Sequence, residues 1–188
     1  MKTYYLSALL LIANFNLPIS NSSQVAIEVI TQDEVKSSLN AVGNHRFIYR
    51  MFFKLYDARF YADAVQADNI DKLLDGKNAL LLEFDYLRKI NKTTILESSE
   101  NILAKNMSPD ELNLIQERLD RINAAYRTVN KGDRSSLSYT PGKGTTLSIN
   151  QEAIVTIEGE DFARLYFRIW LGEQPISQPM RDALLSRY

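Results

Sequence analysis

The chain has 188 residues, of which 45% are hydrophobic and 24% charged, the size and make-up of one globular domain with a sizeable core. Twenty-two basic residues against twenty-three acidic ones leave a formal charge of −1, which offers no broad field to nucleic acid or to an anionic membrane. With no cysteine and a single histidine, disulfides, thiolate metal sites and cysteine nucleophiles are excluded, and neither a histidine-rich metal set nor any other cofactor site is expected.

The first residues read as a targeting segment. Met1 and Lys2 form a short positive start, Tyr4 to Phe15 is an apolar run broken only by Ser7 and Asn14, and Pro18 to Ser23 is a polar, small-residue exit. The run is shorter than the roughly 20 residues that span a bilayer. Residues 1–22 are therefore expected to be a signal peptide, residues 23–188 the mature domain, and the location secreted or periplasmic, with no stable membrane span.

Beyond this the pattern is α+β. Asp33 to Ala41 reads as a short helix closed by Gly43, and Asn44 to Ala62 as strand. Strand alternation divides the latter into a core face, Phe47, Tyr49, Met51, Phe53 and Leu55, and a mixed face, Arg46, Ile48, Arg50, Phe52, Lys54 and Tyr56, suited to the wall of a cleft. A second strand, Ala79 to Tyr86, is expected to pair with it, with Glu83 and Asp85 along a solvated edge. A helix over Lys92 to Lys105 gathers Ile95, Leu96, Ile102 and Leu103. Another starts at Ser108 with Pro109 in its first turn and Glu111 as capping partner, carrying Leu112, Ile115, Leu119, Ile122, Tyr126 and Val129 as an apolar stripe towards Gly132. Leu137 and Tyr139 alternate before a Pro-Gly turn and Thr145, Leu147 and Ile149 after it, so a hairpin is expected, then a strand over Ala153 to Glu158. The C-terminal region is helical, with Phe162, Leu165, Tyr166, Ile169 and Trp170 on one face, and a last short helix over Met180 to Ser186.

Two motifs carry no chemistry. PGKGTT lacks the spacing of a phosphate loop, since Gly144 follows Lys143 and no helix opens there. The tripeptides beginning at Asn21, Asn91 and Asn106 fit the glycosylation acceptor, which matters only in a host that glycosylates.

Three segments, KLYDARFYAD (Lys54 to Asp63), GDRSSLSYTPGKGTTLSIN (Gly132 to Asn150) and FARLYFRIWLG followed by the terminal helix, together resemble the bacterial branch of the chalcone-isomerase-like family from about Gly43 to the C-terminus. The resemblance implies an antiparallel sheet with helices layered on one face, an open-faced β-sandwich, and a ligand cleft between the two layers. In the true isomerases an arginine and a threonine from the first long strand and a tyrosine from the next helix serve the reaction. Here Arg46 is the nearest candidate for the arginine, Tyr56 stands at the threonine position, and Thr94 falls near the tyrosine. Because two of three positions depart, the resemblance implies a non-catalytic binder of a small, partly apolar or carboxylate ligand such as a fatty acid. Arg46 or Arg50 would grip the carboxylate together with the Tyr56 hydroxyl. The same side chains also read as solvated cross-strand partners and a core-edge aromatic. Two other classes stay open: an isomerase or intramolecular lyase acting on an enone, and an envelope interaction protein without a small ligand.

Overall fold

A computed structural model of the chain describes residues 32–63 and 70–187. The expected signal segment lies outside the described residues. Thirteen elements occur among those described: α1 (Gln32–Ser37), β1 (Asn40–Tyr49), β2 (Phe53–Ala62), α2 (Ile70–Leu73), β3 (Leu80–Tyr86), α3 (Lys92–Asn106), α4 (Pro109–Ala125), β4 (Arg134–Thr140), β5 (Gly144–Ile149), β6 (Glu152–Ile157), α5 (Glu160–Tyr166), α6 (Arg168–Leu171) and α7 (Gln178–Leu184). The six strands form one antiparallel sheet in sequential order, β1 to β6. This is the expected α+β class.

Strand alternation explains the two faces of the sheet. Ala58, Phe60, Leu82, Phe84, Leu137, Tyr139 and Leu147 point to one side and are buried against Ile115, Ile122, Phe162, Tyr166 and Trp170 of the helical layer. The opposite side carries Arg46, Asp57, Arg59, Glu83, Asp85 and Arg134, joined as ion pairs. Glu83 and Asp85 were expected on a solvated edge. They sit instead on the central strand β3, Glu83 paired with Lys36 of α1 at 2.6 Å and Asp85 shared by Arg59 and Arg134. Burial works against the Asp85 carboxylate, but its hydrogen bonds from the two guanidiniums prevail and hold its pKa below the usual carboxylate range.

The largest departure from the sequence reading is in residues 44–62. They form not one long strand but a hairpin, reversing at Arg50, Met51 and Phe52. Arg50 and Met51 adopt φ of 48° and 63°, the left-handed region that turns usually give to Gly or Asn. Without either residue the reversal left no mark in the sequence. The helix expected over Asp33 to Ala41 ends at Ser37, and Gly43 lies inside β1, where a Cβ would overlap the Ala183 and Leu184 carbonyls of α7.

Other signals hold. The Ser108 hydroxyl accepts from Glu111 N–H, and the Glu111 carboxylate accepts from Ser108 N–H at 2.9 Å, closing the expected capping box. α4 stops at Ala125, earlier than its apolar stripe suggested, and Gly132 serves the turn into β4 with φ of 92°. The Pro-Gly hairpin pairs Leu137 with Leu147 and Tyr139 with Thr145. The C-terminal helix breaks at Phe167 into α5 and α6. The Asn106 amide donates to the carbonyls of Ile102 and Gln174, tying the end of α3 to the loop after α6.

Candidate ligand cavity

A cavity of about 390 Å³ lies between the sheet and the helical layer. Phe47 and Tyr49 of β1, Leu55 and Tyr56 of β2, and Phe84 and Tyr86 of β3 line the sheet side, with Ser135 beside them. Thr94, Ile95, Ser98 and Ser99 of α3, Ile169 and Trp170 of α6, and Ile90, Tyr126 and Ile176 complete it. Tyr49 and Thr94 are exposed and mark the mouth, while Tyr56, Phe84, Tyr86, Ser135, Tyr126 and Trp170 are buried and form the floor. Aromatic packing fixes that floor: the Tyr56 ring stands edge-on to Phe84 and Tyr86, and Phe84 packs on Trp170 with centroids 5.3 Å apart.

The floor is greasy but not wholly apolar. Tyr86 and Ser135 share a hydroxyl hydrogen bond of 2.8 Å, and the Tyr166 hydroxyl donates to that of Tyr126 at 3.3 Å. Tyr56 is 8% exposed, and its hydroxyl has no hydrogen-bond partner among the described residues. Burial, with the neighbouring Tyr86 adding to it, raises the Tyr56 pKa far above the ordinary phenol value. Burial likewise pushes Tyr86 up to about 12, against the opposing effect of its bond to Ser135. Tyr126 and Tyr166 are raised by burial as well. All four are neutral phenols at physiological pH, able to donate an O–H but unable to supply charge.

No charged side chain lines the cavity among the described residues. Of the four residues singled out in the sequence, the structure brings Tyr56 and Thr94 together in its lining. Arg46 is elsewhere, on the opposite face of the sheet, donating twice to Asp57 at 2.6 and 2.8 Å. Those bonds raise the Arg46 pKa and lower that of Asp57. Arg50 sits in the hairpin loop, its guanidinium 5.2 Å from the centroid of the Tyr49 ring, one side chain removed from the mouth. The physical reason is the hairpin. On one continuous strand Arg46 and Tyr56 share a face, whereas the turn and the bulge at Leu55 set Tyr56 opposite Phe47 and turn Arg46 away. Phe52 and Ile48, expected to wall the cleft, are 81% and 42% exposed, and Met51, expected in the core, is 85% exposed.

The remaining lining was only partly visible in the sequence. Ile169 and Trp170 lay on an apolar helix face and Ile95 on another, but nothing in the spacing separates a cavity wall from a packed core. Tyr86 and Ser135 meet across β3 and β4, a pairing set by sheet register. Among the described residues no group of three or more His, Asp or Glu side chains is placed to hold a metal ion, and no helix is long and apolar enough to cross a membrane.

A sheet backed by helices, with a hydroxyl-floored apolar cavity between them, defines a class that comparison with known proteins identifies. The chain belongs to the chalcone isomerase-like family, whose model matches residues 24–186. Its fold is similar to that of a fatty-acid binding protein of Arabidopsis thaliana, with a TM-score of 0.59 and 18% identity over 79% of this chain and 87% of that one. Among curated proteins none matches the sequence.

Proposed function

We propose that this protein is a non-catalytic carrier or sensor of a small, mainly apolar molecule of the fatty-acyl class, held in the cavity with one polar oxygen against the Tyr56 hydroxyl. The observation that carries this reading is the unpartnered phenol at the floor of an otherwise apolar cavity, whose 390 Å³ lies within the roughly 300–1,000 Å³ typical of small-molecule sites. Tyr56 lines the cavity, where its hydroxyl is free to donate to an oxygen of a ligand. The fatty-acid binding protein of similar fold supports the acyl class.

The absence of charge from the lining refines the ligand. A carboxylate drawn to the floor would be desolvated without a counter-cation, whereas an ester, alcohol or protonated acid would not. A fatty acid methyl ester is therefore expected to bind the delipidated protein at least as tightly as the ionised acid at neutral pH. Displacement of a fluorescent acyl probe measures both. Clear preference for the ionised acid would contradict the uncharged floor, and absence of saturable binding by either would contradict the function. Ser98→Phe, which fills the cavity from α3, is expected to abolish binding. Closure of an enone by phenolate attack is served less well, since the cavity offers hydroxyls and no cation to steer the oxyanion.

We also propose that the domain acts outside the cytoplasm. The charged start, apolar run and small-residue exit of residues 1–22 support this, as does a family match that begins at residue 24. N-terminal sequencing of the protein recovered from its native compartment tests it, and an intact Met1 in the cytosolic fraction would contradict it.

A further inference from the structure

The β1–β2 hairpin breaks the rules of an ordinary turn. Its loop carries Arg50, Met51 and Phe52 rather than Gly or Asn, with Arg50 and Met51 in a left-handed conformation, and leaves Met51 and Phe52 85% and 81% exposed. Ile48, Tyr49 and Phe53 beside them are also exposed, making a contiguous apolar tip at the mouth of the cavity, which Tyr49 and Leu55 line. Among the described residues of the hairpin tip and the loop after β3, the charged side chains are cationic. Arg50 lies over the Tyr49 ring and Arg88 over the Phe53 ring, with Lys54 and Lys89 exposed nearby. Residues 43–56 and 86–96 contain no Asp or Glu, and none of these four cations has a carboxylate partner among the described residues. A near-neutral total charge thus conceals local segregation.

From this geometry we propose that the hairpin tip docks on an anionic lipid bilayer, seating Met51 and Phe52 among the acyl chains with Arg50, Lys54, Arg88 and Lys89 at the headgroups. Apolar side chains on a convex tip, ringed by long cationic ones that cover aromatic faces, match the layered polarity of a lipid surface, apolar within and anionic outside. The polar rim of the tip is cationic, which suits anionic headgroups. The docked orientation faces the cavity mouth towards the membrane, where acyl compounds reside. Docking stands independently of what the cavity holds.

Co-sedimentation of the full chain with vesicles tests it. The wild type is expected to pellet with phosphatidylglycerol–phosphatidylcholine vesicles, less with phosphatidylcholine alone, and less as salt rises. Phe52→Ser is expected to lower partition about tenfold, and Met51→Asn to lower it as well, while acyl-probe affinity in solution is unchanged. Leu114→Ser is the control, a 65% exposed apolar residue of α4, which packs on β6 at the far edge of the sheet. A wild type that stays in the supernatant overturns the proposal, as does equal loss in the Leu114 variant or none in the hairpin variants. A dimer in solution that Phe52→Ser splits would give the tip to a second copy and overturn it too.

Discussion

Tyr56 and Arg46 show how far single residues decide this protein's chemistry. The Tyr56 hydroxyl reaches no partner within the described fold, so Tyr56→Phe removes no internal hydrogen bond. Its effect on unfolding free energy is expected to stay within about 0.5 kcal/mol. Ligand affinity is expected to fall by about 1 kcal/mol, roughly fivefold, because the ligand loses its donor. Calorimetry of the free and ligand-loaded variant separates the two. Arg46→Ala is expected to leave affinity unchanged, since its guanidinium is held by Asp57 on the other side of the sheet. Reduced binding in that variant would place the Arg46 guanidinium on the cavity side of the sheet instead. The sequence pointed to Tyr56 through alternation and family resemblance, but alternation counted along one strand also chose Arg46. A chain reversal without glycine, asparagine or proline gives local patterning nothing to register.

Among elements, those whose ends are written in side-chain chemistry were legible. The Ser108–Glu111 box, the α4 stripe and the Pro-Gly hairpin each pair a local signal with a local structure. The break between α5 and α6 at Phe167 and the early stop of α4 have no such marker and are set by tertiary packing. The β1–β2 hairpin is the instructive case, because its strain coincides with its exposed apolar tip. Left-handed conformation in a non-glycine residue costs about 1–2 kcal/mol. Met51→Gly, at φ of 63°, is therefore expected to stabilise the fold by about 1 kcal/mol while weakening vesicle binding. Chemical denaturation and co-sedimentation on the same preparation check this opposition. A variant that loses both stability and lipid binding would show that the side chain packs rather than docks.

Across the whole molecule, five buried tyrosines among the described residues couple the core to pH. Tyr56, Tyr86, Tyr126, Tyr139 and Tyr166 all have folded pKa values above the ordinary phenol value of 10.0. Between that value and the folded one, the unfolded chain releases protons that the native state keeps, so stability present below pH 10 declines as pH rises. For Tyr86 the decline runs to about 12. Each tyrosine contributes a slope of about 1.4 kcal/mol per pH unit while it titrates in the unfolded chain alone. Denaturant titrations at successive alkaline pH values are expected to show this fall, and a flat profile above pH 10 would contradict the burial of these phenols. Composition foretold a single core of this size, and the family resemblance foretold its layered form. The resemblance also implied a cleft between the two layers, but most of its lining was not legible, because the difference between a filled and an open core is a matter of side-chain volume across several elements.

The most direct test uses the chain's one tryptophan, Trp170, which forms part of the cavity floor. Titrating the delipidated protein with a fatty acid methyl ester while following Trp170 emission reads out the floor of that space. A saturable change in emission is expected, abolished by Ser98→Phe and left intact by Arg46→Ala. Emission that stays constant while the ester binds elsewhere, or a saturable change that survives Ser98→Phe, would contradict it.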